Sequence, residues 1–328
     1  LGAIVADSLG LICHSMESVS TTRSKYELRK VLSEDGLRNP EFKLISSEEN
    51  PELISKSISF PCVMKPTFLS GSRGVIRANN EKEFMNAYMR IKNILDEPEV
   101  IIRGGNEAKM ILIEEYIDGI EVAVEGIVIN GKFLPLTIFD KPEPLEGPFF
   151  EESLYVTPSR LPNSVQEKIL EETKNASHAI QLTNGPVHAE LRIDGNGDPW
   201  VIDIASRTIG GKCSKAIKFS DGISLESIIL SHVLGKQLPN IVPISSSSGV
   251  MMIPIPKSGI LKEVLGKEDA LAIKGIEEVE ITIPLGVKIV ELPEGDRYLG
   301  FIFASSEKSE ETIEILKEAH KNLKFKIE

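Results

Sequence analysis

Cysteine is scarce in this chain of 328 residues, and the three present, Cys13, Cys62 and Cys213, are far apart and form no C-x-x-C pair. An odd number at such spacing excludes a disulfide framework and a cysteine-built zinc site, fits a reducing compartment, and reads as three small buried hydrophobes. The five histidines are too scattered for a metal cluster. No apolar run approaches the ~20 residues that a membrane-spanning helix needs. The opening stretch, LGAIVADSLGLICHSMES, holds Asp7 and no basic segment, so it does not read as a secretion signal. Positive charge is also in deficit: 37 Lys and Arg against 49 Asp and Glu give a formal net charge of −12. That balance argues against nucleic acid or an anionic membrane as the main partner. The expectation is a cytoplasmic protein. Because the chain opens on Leu1 instead of Met, a native N-terminal segment is expected to be missing.

What is present is ordinary globular material, 41% hydrophobic and 26% charged, and long enough for one large or two to three smaller cores. Residues 17–36 read as an amphipathic helix ending at Gly36, 42–45 as a short strand, and 49–58 as a helix. Strands are expected at 60–65 and 75–78, and a helix at 81–95 with Phe84, Tyr88, Ile91 and Leu95 on its apolar face. Strands follow at 110–116, 121–129 and 132–139, then a Pro/Glu/Gly-rich loop, KPEPLEGPFFEE. A helix over 163–182, a hairpin of 187–193 with 200–206, and a helix over 223–234 complete the middle. The polar run 245–248 marks a boundary. Beyond it come strands near 250–255, 278–283, 288–290 and 298–304 and a last helix over 307–323. The alternation lacks the βαβ cadence of a doubly wound sheet and favours an α+β assembly of antiparallel sheets with helices on one side.

The most informative stretch is VHAELRIDGNGDPWVIDIASR, from Val187 to Arg207. Asn196-Gly197 suits a two-residue type I′ turn, in which both positions need φ > 0. That turn sets Glu190 opposite Asp203, while Leu191 and Ile193 share the other face with Trp200, Ile202 and Ile204. Opposed like charges cost a sheet a few tenths to ~1 kcal/mol, and a Mg²⁺ ion would compensate. Arg207, about 13 Å further along the same face at ~3.3 Å per residue, could clamp a phosphate or carboxylate. In FPCVMKPTFLSGSRGV, Lys65 ends an apolar strand just before Ser70-Gly71-Ser72-Arg73-Gly74, an arrangement able to hold phosphate oxygens by charge and backbone N–H groups. It is neither a Walker A loop nor a dinucleotide G-x-G-x-x-G. In ILIEEYIDGIEVAVEGIVING, a strand reaches Glu114-Glu115-Tyr116-Ile117, breaks at Asp118-Gly119 and resumes. There Val122, Val124 and Val128 face one way and Glu121 and Glu125 the other, a pattern that by itself most often means a solvated face.

A lysine strand, a Gly-rich turn, an E-E-Y-x-x-G-x-E hinge and an acid pair on a hairpin, in this order, resemble the ATP-grasp superfamily. The likeness is strongest to its L-amino acid ligase (dipeptide synthetase-like) branch and extends from Lys25 to the C-terminus. It implies an α+β ATP-grasp fold. Residues 1–44 would be the remnant of an N-terminal α/β domain and 45–118 subdomain A with its flap. Residues 119–244 would be subdomain B with the metal site, and 245–328 a C-terminal α+β lid. The resemblance implies that Lys25 and Lys65 bind nucleotide, that Ser70 to Val75 form a flap over the β- and γ-phosphates, and that Glu114, Glu115, Tyr116 and Ile117 form the adenine hinge. Glu121 would bond the ribose, and Glu190 and Asp203 would hold Mg²⁺, with Mn²⁺ as a substitute. Arg207 would stabilise the transferring phosphoryl group, and His188, Gly210 and Gly211 would meet substrate. Asp203 stands where many members have Glu. The implied activity is ATP-dependent joining of a small-molecule carboxylate to an amine through an acyl phosphate, in a cytoplasmic enzyme, and the resemblance further implies a homodimer. The alternatives are an ATP-grasp carboxylase or purine-pathway ligase, and a non-catalytic ATP-binding regulatory module.

Overall fold

The computed structural model describes residues 2–328. Its strands are β1 (Phe42–Ser46), β2 (Cys62–Pro66), β3 (Ile76–Ala78), β4 (Met110–Glu115), β5 (Ile120–Ile129), β6 (Lys132–Lys141), β7 (Leu154–Thr157) and β8 (Gly185–Ile193). They continue as β9 (Pro199–Ala205), β10 (Ser247–Ile253), β11 (Gly259–Leu265), β12 (Ile276–Ile281), β13 (Lys288–Ile289), β14 (Gly300–Ser306) and β15 (Lys324–Ile327). All pair antiparallel, in a four-stranded sheet β1-β4-β2-β3, an eight-stranded sheet β12-β14-β10-β7-β6-β5-β8-β9, and a small sheet β13-β11-β15.

Amphipathic helices seal these sheets. Helix Glu81–Leu95 buries Phe84, Tyr88, Ile91 and Leu95, as its spacing predicts, against the four-stranded sheet. Helix Asn163–Ala179 and helix Lys25–Glu34 cover one face of β5, β8 and β9, where Val122, Val124 and Val128 meet Leu28, Leu32 and Ile169. Helix Leu225–Val233 packs on the opposite face, so helices flank the large sheet on both sides and not on one. Helix Ser309–Asn322 buries Ile313, Leu316 and Ala319 at the β10/β14 end.

Several expectations change for local reasons. The helix expected over 17–36 is two helices, Met16–Thr21 and Lys25–Glu34, because Ser24 takes an extended conformation and caps the second. Residues 153–162, between the expected loop and the helix at 163, contain β7, whose four residues are all buried between β6 and β10. Ser247 and Ser248 are not an exposed linker but the buried start of β10. Strands β11 and β15 and the helices Pro98–Gly104 and Lys267–Leu271 were not expected. Cys62 and Cys213 are buried, whereas Cys13 is only half-buried.

The turn from β4 into β5 needs Gly119: its φ is +136°, and a Cβ there would collide with the Ile193 carbonyl. Gly286, with φ +84°, has open space around it. Gly119→Ala is expected to destabilise the protein by ~1–3 kcal/mol and by more than Gly286→Ala, which carries backbone strain alone. Urea unfolding of the two variants side by side checks this; equal losses would contradict it.

Candidate active site

The site begins with one helix face. Lys25 and Arg29 lie four residues apart on helix Lys25–Glu34 and therefore project together. Lys25 Nζ donates to Asp203 at 2.8 Å. Arg29 Nε donates to Glu114 at 2.7 Å, its Nη1 to the Val201 carbonyl at 3.0 Å, and its Nη2 to the Ile202 carbonyl. Lys65 Nζ, from β2, reaches the second oxygen of Glu114 at 2.6 Å. Arg29, Lys65 and Glu114 are all buried. Burial opposes the charge of Glu114, yet the two cations hold its carboxyl down at about 2. Lys65 is lowered from the usual lysine range, by burial first and with Arg29 and Lys25 adding to it against the pull of Glu114. Two cations sharing one carboxylate leave positive charge facing the space above, which suits a phosphate.

A second grid stands on the large sheet. Along β8 the alternation puts His188, Glu190 and Arg192 on one face; their β5 partners are Glu125, Ala123 and Glu121. His188 Nδ1 bonds Glu125, whose other oxygen accepts from the Ile209 N–H at 3.1 Å. Burial works against the imidazolium, but the Glu125 carboxylate lifts His188 to about 10. Lys141 Nζ donates to Glu121 at 2.6 Å, to Glu152 at 2.8 Å and to Glu190 at 3.2 Å. Those three acids overcome its burial and hold Lys141 well above the usual range. Glu152 is pushed up to about 7 by burial and by the Glu190 charge, whereas Lys141 and His188 outweigh burial at Glu190 and hold it well below the carboxylate range. Arg192 donates through Nε to Glu121 at 3.1 Å and through Nη1 to the Ile117 carbonyl at 2.8 Å, fixing the hinge to the sheet.

Glu190 pairs with Asp203, by a different route from the expected one. The turn is one residue longer than a two-residue hairpin: Asp194 N–H donates to the Asp198 carbonyl, and Gly197, not Asn196, has positive φ. A bulge between Glu190 and Leu191 leaves Ile202 as an extra residue in β9, which restores the register at Asp203. The bulge also changes the core face. Val201 and Ile204 are buried with Leu191 and Ile193, while Trp200 is half-buried and Ile202 lines the site. Arg207 lies beyond the end of β9, exposed, its Nη1 donating to the Thr208 carbonyl at 2.7 Å.

These groups surround a cavity of about 640 Å³ between the two larger sheets. Lys25, Lys65, Ser70, Gly71, Ser72 and Val75 line it, as do Glu114, Glu115, Tyr116, Ile117 and Glu121. So do His188, Glu190, Asp203, Arg207, Gly210 and Gly211. Arg73 and Gly74 are not among the lining residues. Arg73 turns out to the Glu294 carbonyl (2.8 Å) and Glu97 (2.6 Å), and Gly74 N–H donates to the Pro293 carbonyl (2.8 Å). Sequence reasoning missed Arg29, Lys141, Glu152 and Arg192. Arg192 was within reach, since it continues the alternation of His188 and Glu190. Glu121 and Glu125, for which a solvated face is the commoner reading, are buried. Glu190 and Asp203 offer hard carboxylate oxygens on adjacent strands, with side chains 18% and 29% exposed and open to the cavity. That donor set fits a divalent cation such as Mg²⁺.

Residues 58–216 match the family model of the ATP-grasp domain. The fold is that of the ATP-grasp proteins, a family that uses ATP and a divalent metal. Residues 251–328 match the L-amino acid ligase C-terminal domain 2, so the chain carries an ATP-grasp domain followed by an L-amino acid ligase C-terminal domain. The crystal structure of the L-amino acid ligase from Bacillus licheniformis superposes with a TM-score of 0.85 at 28% identity, covering 99% of this chain and 78% of that one. Alanine–anticapsin ligase of Bacillus subtilis (strain 168) is 27% identical over 239 residues, 70% of this chain and 50% of that protein. The L-arginine-specific L-amino acid ligase of Bacillus subtilis is 23% identical over 282 residues, 85% of this chain and 66% of that protein. The chain thus spans about half the length of the first curated relatives it matches, at 50% and 49%.

Arg29→Met is expected to cost about 3 kcal/mol at pH 7, because it leaves Glu114 buried with one cation instead of two. The depressed pKa of Glu114 sets the sign of its pH dependence. Its contribution is present above the ordinary value of 4.5 and is lost as pH falls from there towards about 2. Urea midpoints measured from pH 7 to pH 3 should fall less steeply in Arg29→Met than in the parent; parallel profiles would contradict the assignment.

Proposed function

We propose that this chain is an ATP-dependent carboxylate–amine ligase that acts on amino acids through an acyl phosphate. The observation that carries the reading is the convergence of Lys65, Glu190, Asp203 and Arg207, from separate strands and a loop, on one cavity that also meets the Ser70–Gly71–Ser72 turn. A carboxylate oxygen of the first substrate attacks the γ-phosphorus of ATP in line; the bond from that phosphorus to the β-phosphate oxygen breaks and ADP leaves. The amine of the second substrate attacks the acyl carbon, gives up a proton, and phosphate departs. Lys65 and Arg207 neutralise phosphoryl charge, and the backbone N–H groups of residues 70–72 cradle the phosphates. Glu190 and Asp203 would hold Mg²⁺, or Mn²⁺ in its place, which screens the phosphate charge when bound. Tyr116, Ile117 and Glu121 form the nucleoside end, with Arg192 holding the hinge carbonyl. No protein nucleophile is needed, since positioning and electrostatics supply the rate.

In this reading residues 45–118 and 119–244 grip ATP, 245–328 form the lid, and 1–44 belong to a preceding domain. The substrates are small molecules, the active species is a homodimer, and the compartment is the cytoplasm. Among the described residues no helix is long and apolar enough to cross a membrane. The similarity to the L-amino acid ligase C-terminal domain favours amino acids over the substrates of carboxylases and purine-pathway ligases.

ADP release with Mg-ATP and a panel of amino acids, singly and in pairs, tests the proposal, with pairs expected to exceed single amino acids. Glu190→Gln should lower turnover by about 10²-fold or more while leaving the fold intact, because it deletes a charged cation ligand and relieves repulsion from Asp203. Full activity in Glu190→Gln would sink the assignment of this acid.

A further inference from the structure

The cavity has a second half that the nucleotide machinery does not use. One of the four hydrophobic cores, built around Tyr155, Ile209, Cys213, Met252 and Phe301, with Tyr298 packed against it, opens directly onto the cavity. We propose that this wall is the subsite for the side chain of the carboxylate-donating substrate and that it selects an apolar amino acid. The proposal rests on the ligase reading above.

The geometry gives the orientation. Gly211, four residues beyond Arg207, abuts the chamber so closely that a Cβ there would lie 3.0 Å from the Phe301 ring. A carboxylate held by Arg207 therefore has the apolar wall beside it. The charge nearest this wall, Glu152, is already paired. Glu152 is bonded by Tyr155 Oη at 2.6 Å and by Lys141 at 2.8 Å, so each of its oxygens already has a partner. Asp296 and Arg297, at the mouth, face each other at 3.9 Å and are well exposed. A charged side chain entering the chamber would give up water and gain no partner in Met252, Cys213 or Phe301, a loss that apolar side chains do not suffer. Specificity by such a wall reaches about tenfold or more for modest changes in side-chain size.

Hydroxylamine, used as the amine, isolates this half of the reaction, since hydroxamate formation then reports only the carboxylate donor. With Mg-ATP, kcat/KM for leucine, methionine or phenylalanine should exceed that for aspartate or lysine by at least about tenfold. Tyr298→Ala, at a half-buried position, should shift preference towards bulkier apolar donors by a similar factor, and Met252→Ala, in the same wall, should do the same. Charged donors that match or beat apolar ones, or variants that scale every donor alike, would overturn the subsite and leave the ligase intact. Hydroxamate from no amino acid, with ATP still bound by the protein, would overturn the amino-acid ligase reading and the subsite with it.

Discussion

A single buried guanidinium joins the two sheets between which the cavity lies. Arg29 bonds Glu114 on β4 of the smaller sheet and two consecutive carbonyls, Val201 and Ile202, on β9 of the larger one. The planar fork of arginine can satisfy three acceptors at once, which a lysine ammonium in the same place could not do with that geometry. The carbonyls it reaches flank the bulge that brings Asp203 opposite Glu190. The contact therefore sets the distance between the sheets and supports the shape of the acid-bearing strand.

Charge is balanced differently on the two sides of the cavity. On the side of the four-stranded sheet two cations share Glu114, leaving a positive excess suited to phosphate oxygens. On the large-sheet side three acids share Lys141, and Glu190 and Asp203 remain open to the cavity as hard oxygen donors. Groups buried this deeply would be costly if unpaired, and each is held by at least one partner of opposite charge. The turn that follows Lys65 is in turn attached to residues 293–294 through Arg73 and Gly74, and helix Glu81–Leu95 holds the same segment by the bidentate Arg90–Glu294 pair at 2.7 Å. The C-terminal part of the chain thus contributes directly to the wall of the site.

Much of this was legible from local pattern, and the rest depended on partners remote in sequence. The helix at 81–95 and the strands of the middle follow from hydrophobic spacing, because their burial is set by their own periodicity. The facing of Glu190 and Asp203 was reached through two offsetting departures, a turn one residue longer than expected and a bulge at Ile202. A bulge leaves no signature in alternation until the core face is seen, so Trp200 and Ile202 read as core where Val201 is. Arg29, Lys141 and Glu152 were invisible for another reason. A lone charge on a helix, at a strand end or in an acidic loop looks solvated until the fold brings its counter-charge to it. Strand β7 escaped because four residues in a Pro/Gly-rich stretch carry too little period to distinguish from loop.

The proposed chemistry turns on phosphoryl transfer to a substrate carboxylate inside this doubly charged cavity. The most direct test uses a leucine donor labelled with ¹⁸O in its carboxylate, together with Mg-ATP and an amine acceptor, and reads the released phosphate by ³¹P NMR. An acyl phosphate requires one carboxylate oxygen to leave with phosphorus, so the predicted result is one ¹⁸O in each phosphate formed during amide synthesis. Amide formed with unlabelled phosphate would contradict the mechanism and the roles given to Lys65, Arg207, Glu190 and Asp203.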